Sequence, residues 1–128
     1  RFFLFLPRLS HEIVTLFTQI DYDREMAIVA ILEEKGVQKM IGVVRLVGDA
    51  WKETAEYAIV VADPWHGQGL GTLMTEYILA VAREWGIKRV VANVLNHNKG
   101  MLRIFQNQGF RIEKEDYETS FVELILTE

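Results

Sequence analysis

The chain has 128 residues, of which half are hydrophobic and a quarter are charged, and it contains no cysteine. This length and composition predict one globular domain and exclude a disordered chain, while the lack of cysteine excludes disulfides, thiolate metal ligands and a cysteine nucleophile. The formal net charge of −4 gives no support to nucleic-acid binding, and no apolar run approaches the roughly eighteen residues of a membrane span. We therefore expect a cytoplasmic protein that binds neither nucleic acid nor membrane.

The N-terminal segment predicts a strand followed by a helix. The apolar stretch "RFFLFLPRL" (residues 1–9) is too short for a signal peptide and no small-residue cleavage site follows it, so a first strand is expected. Ser10 can cap a short helix that runs to about Thr18, with Glu12 in the first turn, where the helix dipole favours a carboxylate. Because the chain begins with Arg1 rather than methionine, we expect a domain excised from a longer protein.

The central part predicts a hairpin, a third strand and a long helix. Apolar runs from Met26 and from Gln38, separated by the turn "EEKGV", are typical of a hairpin, and "TAEYAIVV" (Thr54–Val61) predicts the next strand. From Gly69 the apolar period changes to three and four residues, which predicts a helix that ends at Gly86. The apolar face of this helix is formed by Leu70, Leu73, Met74, Tyr77, Ile78, Val81 and Trp85.

The C-terminal part completes an α/β (α+β) domain. "KRVVANVL" predicts a strand, a second helix follows from about Asn98 to Asn107, and "FRIEKED" and "TSFVELILT" predict the last two strands. Strands that follow each other along the chain favour antiparallel pairing, and the interspersed helices must bury their apolar faces on the sheet. The sequence therefore predicts a mixed, mostly antiparallel sheet flanked by helices.

The stretch "PWHGQGLGTLM" (Pro64–Met74) predicts an anion site between the third strand and the long helix. The first turn of a helix leaves several backbone N–H groups without partners and carries a partial positive charge. Glycine allows a ligand to approach that backbone without an intervening side chain. A turn that serves only to begin the helix is the alternative.

Two other phosphate-binding motifs fail at this turn. A Walker loop ends in Gly-Lys-Ser/Thr, and "GLGTL" has no lysine. A dinucleotide-binding turn needs G-x-G-x-x-G, but the sixth residue is Thr72 when counted from Gly67 and Met74 when counted from Gly69.

The motif "HGQGLG", with Thr72 after it, resembles the pyrophosphate-binding motif Q/R-x-x-G-x-G/A of the GCN5-related N-acetyltransferases (GNAT). His66 stands where that family usually has Gln or Arg. The later "NHNKGMLRIFQNQGF" is similar to the family segment N-x-x-A-x-x-L/Y-Y-E-K-x-G-F. The resemblance implies a GNAT fold with about six to seven strands and acetyl-CoA as cofactor. It implies cofactor contacts from Val60, Val61, His66, Gly67, Gln68, Gly69, Leu70, Gly71, Thr72, Asn98, Met101 and Phe105.

A narrower resemblance is carried by "FTQIDYDREMAIVA" and "TAEYAIVV". These segments look like the acetyltransferase domain of bacterial protein lysine acetyltransferases, which are often fused to an NDP-forming acyl-CoA synthetase-like domain. The resemblance implies that the acceptor is the ε-amine of a lysine on acetyl-CoA synthetase or a related acyl-CoA synthetase. A small-amine acetyltransferase and a non-catalytic acetyl-CoA sensing module are the alternatives.

Glu56 is the predicted catalytic base. A lysine amine has a pKa near 10.4, so its neutral form costs roughly 4.6 kcal/mol at pH 7, and a carboxylate can accept the proton. Glu56 is the one charged residue in an apolar strand and matches the family's catalytic glutamate; a carboxylate at a solvated strand end is the alternative. The family's general acid is a tyrosine, which Phe105 replaces, while the oxyanion is expected to bind a backbone N–H near Val60 or Val61.

Two further predictions concern the acceptor and metals. Asp21 and Tyr22, in the acidic stretch "DYDRE", are expected to receive the amine substrate, unless that stretch is only a solvated loop. The three histidines lack metal-binding spacing, and no metal is expected.

Overall fold

In the part of the chain that the structure describes, eight strands form one sheet and two helices pack on one of its faces. The computed structural model describes residues 2–4, 13–21, 25–49, 53–62, 67 and 69–126. The elements, in chain order, are β1 (Phe2–Leu4), β2 (Ile13–Asp21), β3 (Glu25–Glu34), β4 (Val37–Gly48), β5 (Thr54–Val61), α1 (Leu70–Glu84), β6 (Arg89–Leu95), α2 (Lys99–Asn107), β7 (Arg111–Lys114) and β8 (Thr119–Ile125).

The sheet has the order β1-β2-β3-β4-β5-β6-β8-β7, and β5 and β6 are its one parallel pair of neighbours. That pairing covers only three residues on each strand and ends where Glu56 lies beside Val91. β5 continues for five residues beyond Glu56, still paired with β4. The two strands therefore form a fork that opens toward their carboxyl ends.

The predicted helix from Ser10 to about Thr18 is wrong over residues 13–18, the part of that segment that the structure describes. Residues 13–21 form β2, which pairs with β3 along its whole length. The run "IVTLFT" is rich in β-branched and aromatic residues, which fit a pleated sheet better than a helix. Val14 and Leu16 are fully buried, so this pairing also buries apolar surface. β2 brings the strand count to eight.

The inner face of the sheet is the face that carries both helices. On β5 the alternate residues Ala55 and Tyr57 are buried on this face, and Tyr57 contacts α2 through Phe105. α1 buries part of its predicted apolar face against this face of the sheet, and the other predicted positions of the helix are half-buried. The fully buried hydrophobic positions of α1 are Leu70, Met74, Ile78, Leu79 and Ala82.

α1 ends as the sequence predicts. Its last capping residue is Trp85, and Gly86 follows with a φ of 84°, a left-handed conformation that glycine adopts without strain. In the described part of the chain neither helix is long and apolar enough to cross a membrane.

The outer face carries no helix among the described residues, and it presents one row of side chains across the sheet. Strand register aligns Glu25, Val47, Glu56, Val91 and Glu123 in that row. Apolar side chains elsewhere on this face are also exposed, including Val60 at 67%. Among the described residues, the inner face is therefore packed against both helices, whereas the outer face carries none.

Candidate cofactor and catalytic site

The glycine turn ends in an uncapped helix start. Gly67 and Gly69 have φ values of 73° and 87°, and a Cβ at either position would meet nothing within 4 Å. Gly69 is the N-cap of α1 and supplies no side-chain acceptor, and the first turn contains no acidic residue. The first helical bond runs from the Leu73 N–H to the Gly69 oxygen at 3.0 Å. The N–H groups that precede Leu73 have no acceptor within the helix, so this geometry fits an anion such as a pyrophosphate.

A cavity of about 680 Å³ lies at this helix start, where β6 has separated from β5. Its described lining comes from three places: the end of β5, the glycine turn with the first residues of α1, and the start of α2. The residues are Ile59, Val60, Val61, Gly67, Gly69, Gly71, Thr72, Asn98, Gly100, Met101, Arg103 and Ile104.

The backbone of β5 has a definite orientation at the cavity. Hydrogen bonds from the Asp49 N–H to the Thr54 oxygen and from the Ala62 N–H to the Ile41 oxygen show that even-numbered residues of β5 face β4. Antiparallel pairing alternates, so odd-numbered residues direct their N–H and C=O groups toward the β6 side. Val61 therefore points its N–H into the fork. Val60, the other predicted oxyanion donor, points its N–H toward β4.

The helices approach each other closely at the cavity floor. A Cβ built on Gly71 would lie 3.3 Å from the Ile104 Cδ1 and 3.9 Å from the Ile59 Cδ1. Asn98 is the N-cap of α2, and its Oδ1 accepts the Met101 N–H at 3.2 Å. This capping bond fixes the Asn98 side chain at the cavity and leaves its amide N–H groups as donors for a ligand.

The structure places eight of the predicted cofactor contacts at the cavity: Val60, Val61, Gly67, Gly69, Gly71, Thr72, Asn98 and Met101. His66 and Gln68 lie outside the described residues. The Leu70 side chain is fully buried in the core, so only the backbone N–H of this residue can contact a ligand at the turn.

Phe105 is not brought to the cavity, contrary to the prediction. Its side chain is 2% exposed and packs edge-on against Tyr57 and Phe110, with ring centroids 5.3 and 4.8 Å apart. The Tyr57 hydroxyl is hydrogen-bonded to Thr75, and burial raises the pKa of this phenol far above its ordinary value. Both aromatic rings belong to the core on the inner face, and Tyr57 is poorly suited to donate a proton near neutral pH.

Four lining residues were not among the predicted contacts: Ile59, Gly100, Arg103 and Ile104. Helical spacing could have indicated one of them, because Ile104 lies three residues after the predicted contact Met101 on the same face of α2.

Glu56 lies at the closed end of the fork. It is the last residue of β5 that pairs with β6, and its side chain is exposed on the outer face. Its neighbours on the adjacent strands are apolar, Val47 on β4 and Val91 on β6. Ile59 of the cavity lies three residues further along β5, roughly 10 Å away. Among the described residues no lysine or arginine forms an ion pair with Glu56.

The other carboxylates of this row are paired or only partly described. Glu25 forms an ion pair with Arg45 at 3.3 Å. Asp21 pairs with Glu25 at the end of β2, which places its backbone in the same row as Glu56; Tyr22 lies outside the described residues. In the described part of the chain no group of three or more acidic or histidine side chains could hold a metal ion.

Glu123 on β8 is the last residue of this row, and two arginines bind its carboxylate. Its carboxylate is hydrogen-bonded to the Arg89 side chain and to Arg111, the latter at 2.8 Å. Hydrogen bonds from Arg111 and Arg89 lower the pKa of Glu123 below its ordinary value.

Two curated relatives share part of this sequence. The chain is 28% identical over 113 residues to an acetyltransferase of Pseudomonas aeruginosa, which covers 86% of this chain and 61% of that protein. It is 33% identical over 61 residues to a Bacillus subtilis protein that is provisionally named a phosphinothricin acetyltransferase, over 48% of this chain and 37% of that protein. The chain thus spans less than two thirds of the length of either relative.

The fold is shared with solved structures. The GNAT domain of S. lividans PAT superposes with a TM-score of 0.69 and 29% identity, covering 85% of this chain and 65% of that one. Residues 3–110 match the acetyltransferase (GNAT) family. This match covers the fork, the glycine turn and both helices, and the chain belongs to that family.

Proposed function

We propose that this domain transfers an acetyl group from acetyl-CoA to a primary amine. The observation that carries the proposal is the cavity at the fork, which joins an uncapped helix start to the open side of β5. The N–H groups of Leu70, Gly71 and Thr72 would hold the pyrophosphate, and Asn98 would donate to the cofactor arm. Bound acetyl-CoA supplies an activated thioester.

Two residues of β5 supply the hydrogen-bond donor and the proton acceptor that the transfer needs. Val61 directs its N–H into the fork and is placed to donate to the thioester carbonyl oxygen, where negative charge develops during transfer. The amine nitrogen bonds to the acetyl carbon, the carbon–sulfur bond breaks, and coenzyme A leaves as its thiolate. Glu56 accepts the proton that the attacking amine must lose, directly or through water. Glu56 is exposed, and a protonated amine is attracted to this carboxylate.

The acceptor we propose is a lysine ε-amine of a protein, with an acyl-CoA synthetase as the substrate protein. The resemblance of "FTQIDYDREMAIVA" and "TAEYAIVV" to protein lysine acetyltransferases supports this choice. In the sheet, β4 separates the first segment (β2 and β3) from the second (β5), and strand register aligns the backbones of Asp21, Glu25 and Glu56 in one row. Glu56 is exposed and has no ion-pair partner among the described residues, so it can attract a lysine presented on a protein surface. A fused acyl-CoA synthetase-like domain is part of the same proposal.

A small-molecule amine is the second candidate. The name of the Bacillus subtilis relative favours it, since phosphinothricin is a small amine. The two candidates share the cofactor site and differ only in what reaches Glu56.

Labelled acetyl-CoA tests both candidates. The domain is incubated with labelled cofactor and either an acyl-CoA synthetase or a panel of small amines that includes phosphinothricin. Label on a lysine of the synthetase is expected, and the same synthetase with that lysine changed to arginine is the control. Label on small amines alone contradicts the protein acceptor. Cofactor binding without transfer to any acceptor contradicts the enzyme and favours a sensing module.

A further inference from the structure

We infer that Arg103 binds a phosphate group of coenzyme A. This inference rests on the proposed function, because it assigns a residue to the same cavity. The pattern that suggested the glycine turn does not include Arg103, which lies on the other helix.

Charge sets Arg103 apart from the rest of the cavity. It is the one charged side chain among the described lining residues, in a chain whose net charge is −4. Arg45, Arg89 and Arg111 each form an ion pair with a glutamate. Arg103 forms no ion pair with any described residue, so its charge is not already neutralised within that part of the protein.

Position brings Arg103 next to the glycine turn. The adjacent residue Ile104 lies against Gly71, in the first turn of α1. Gly100 lies one helical turn before Arg103 and also lines the cavity, and a Cβ there would meet only the Asn98 Oδ1 at 3.9 Å. A ligand in the cavity can therefore reach this face of α2 without meeting a side chain at Gly100.

The start of α1 and Arg103 on α2 offer complementary groups to a phosphate. The start of α1 offers backbone N–H groups and the positive end of a helix dipole, whereas a guanidinium offers a full charge and paired donors that fit phosphate oxygens. Coenzyme A carries phosphate at two places, the pyrophosphate and the 3′-phosphate of its ribose. The guanidinium of Arg103 fits the phosphate oxygens of either group. Comparison of two ligands, CoA and 3′-dephospho-CoA, distinguishes the two groups.

The test measures binding by calorimetry, with CoA and with 3′-dephospho-CoA, over a series of salt concentrations. Arg103→Gln is compared with the wild type, with Arg103→Lys, and with Arg83→Gln in the exposed last turn of α1, far along the helix from the glycine turn. We expect R103Q to weaken CoA binding about tenfold or more and to reduce its salt dependence. We expect R103K to lose less, since it keeps the charge, and R83Q to match the wild type.

The second ligand identifies the phosphate. If R103Q leaves 3′-dephospho-CoA binding unchanged, Arg103 binds the 3′-phosphate; if R103Q weakens both ligands equally with a smaller salt dependence, it binds the pyrophosphate. R103Q affinity within about twofold of the wild type, or weaker binding with unchanged salt dependence, overturns the inference. A wild type that does not bind CoA overturns the proposed function as well, so the two failures are distinguishable.

Discussion

Glu56 and Glu123 lie on the same face of the sheet and in the same row, separated by Val91 on β6. Their electrostatic surroundings are opposite. Glu123 is held by Arg89 and Arg111, and its side chain is 15% exposed. Glu56 is exposed, and its cross-strand neighbours are apolar.

The difference distinguishes a carboxylate that two arginines hold from the carboxylate that we propose as the base. Hydrogen bonds from the two arginines lower the pKa of Glu123, which makes this carboxylate a weaker base. Its role is to tie β6, β7 and β8 together at the edge of the sheet. Glu56 has no such partner among the described residues and lies at the closed end of the fork, which is why it is the carboxylate of the row that we propose as the base.

The largest expected effect is that of Glu56→Gln. The amide cannot accept a proton, so we expect kcat to fall about 10²–10³-fold near neutral pH, within the usual contribution of a general base. The affinity for CoA should be unchanged, because Glu56 does not line the cavity. Steady-state kinetics with the acceptor and calorimetry with CoA measure the two quantities.

The pH profile provides the control for E56Q. As the pH approaches the amine pKa of about 10.4, more of the acceptor is already neutral and the deficit of E56Q should shrink. A variant that matches the wild type in kcat at neutral pH contradicts the assignment of Glu56 as the base.

Glu123→Gln should lower the stability of the fold without changing catalysis. Loss of the carboxylate leaves two arginines without their charged partner, and we expect Tm to fall by about 2–5 °C. The kcat and KM values should stay at those of the wild type. A large loss of kcat with unchanged Tm would show that Glu123 takes part in the reaction, and the contrast with Glu56 would fail.

The same pair predicts how stability depends on pH. The pKa of Glu123 is lowered in the folded state from an ordinary value of 4.5. Its contribution is therefore complete above that value and is lost as the pH falls through the lower folded pKa. E123Q lacks this contribution at every pH, so its Tm should fall less than that of the wild type between about pH 6 and pH 3. Parallel falls in Tm for the two proteins would contradict this role of Glu123.

The sequence predicted the parts of the fold that have local signals. The bounds of β5, the start of α1 and its end at Gly86 were all predicted, because apolar period and glycine conformation are set by neighbouring residues. The segment that forms β2 was predicted as a helix because Ser10 and Glu12 resemble a helix cap. Pairing with β3 is a contact between segments, and no local pattern reports it.

The candidate site divides in the same way. The glycine turn and Asn98 were found from motifs, and eight predicted contacts lie at the cavity. Phe105 was placed in the cofactor site by motif register, whereas its ring packs between Tyr57 and Phe110. The row that joins Glu56 with Glu25 and Glu123 depends on strand register across the sheet, which the sequence alone does not provide.

The smallest expected effect comes from making the surroundings of Glu56 resemble those of Glu123. Val47 lies directly across from Glu56 and is 44% exposed, so a lysine there can place its ammonium beside the carboxylate and still reach water. A cross-strand charge pair contributes about 0.2–1 kcal/mol and stabilises the charged carboxylate, so Val47→Lys should lower kcat/KM by a few-fold. The acidic limb of the rate profile should move to lower pH, whereas Val47→Thr, which is β-branched and neutral, should leave it in place. Because the substitution adds only charge to the neighbour of an otherwise intact base, an unmoved limb in V47K would mean that proton transfer does not pass through Glu56.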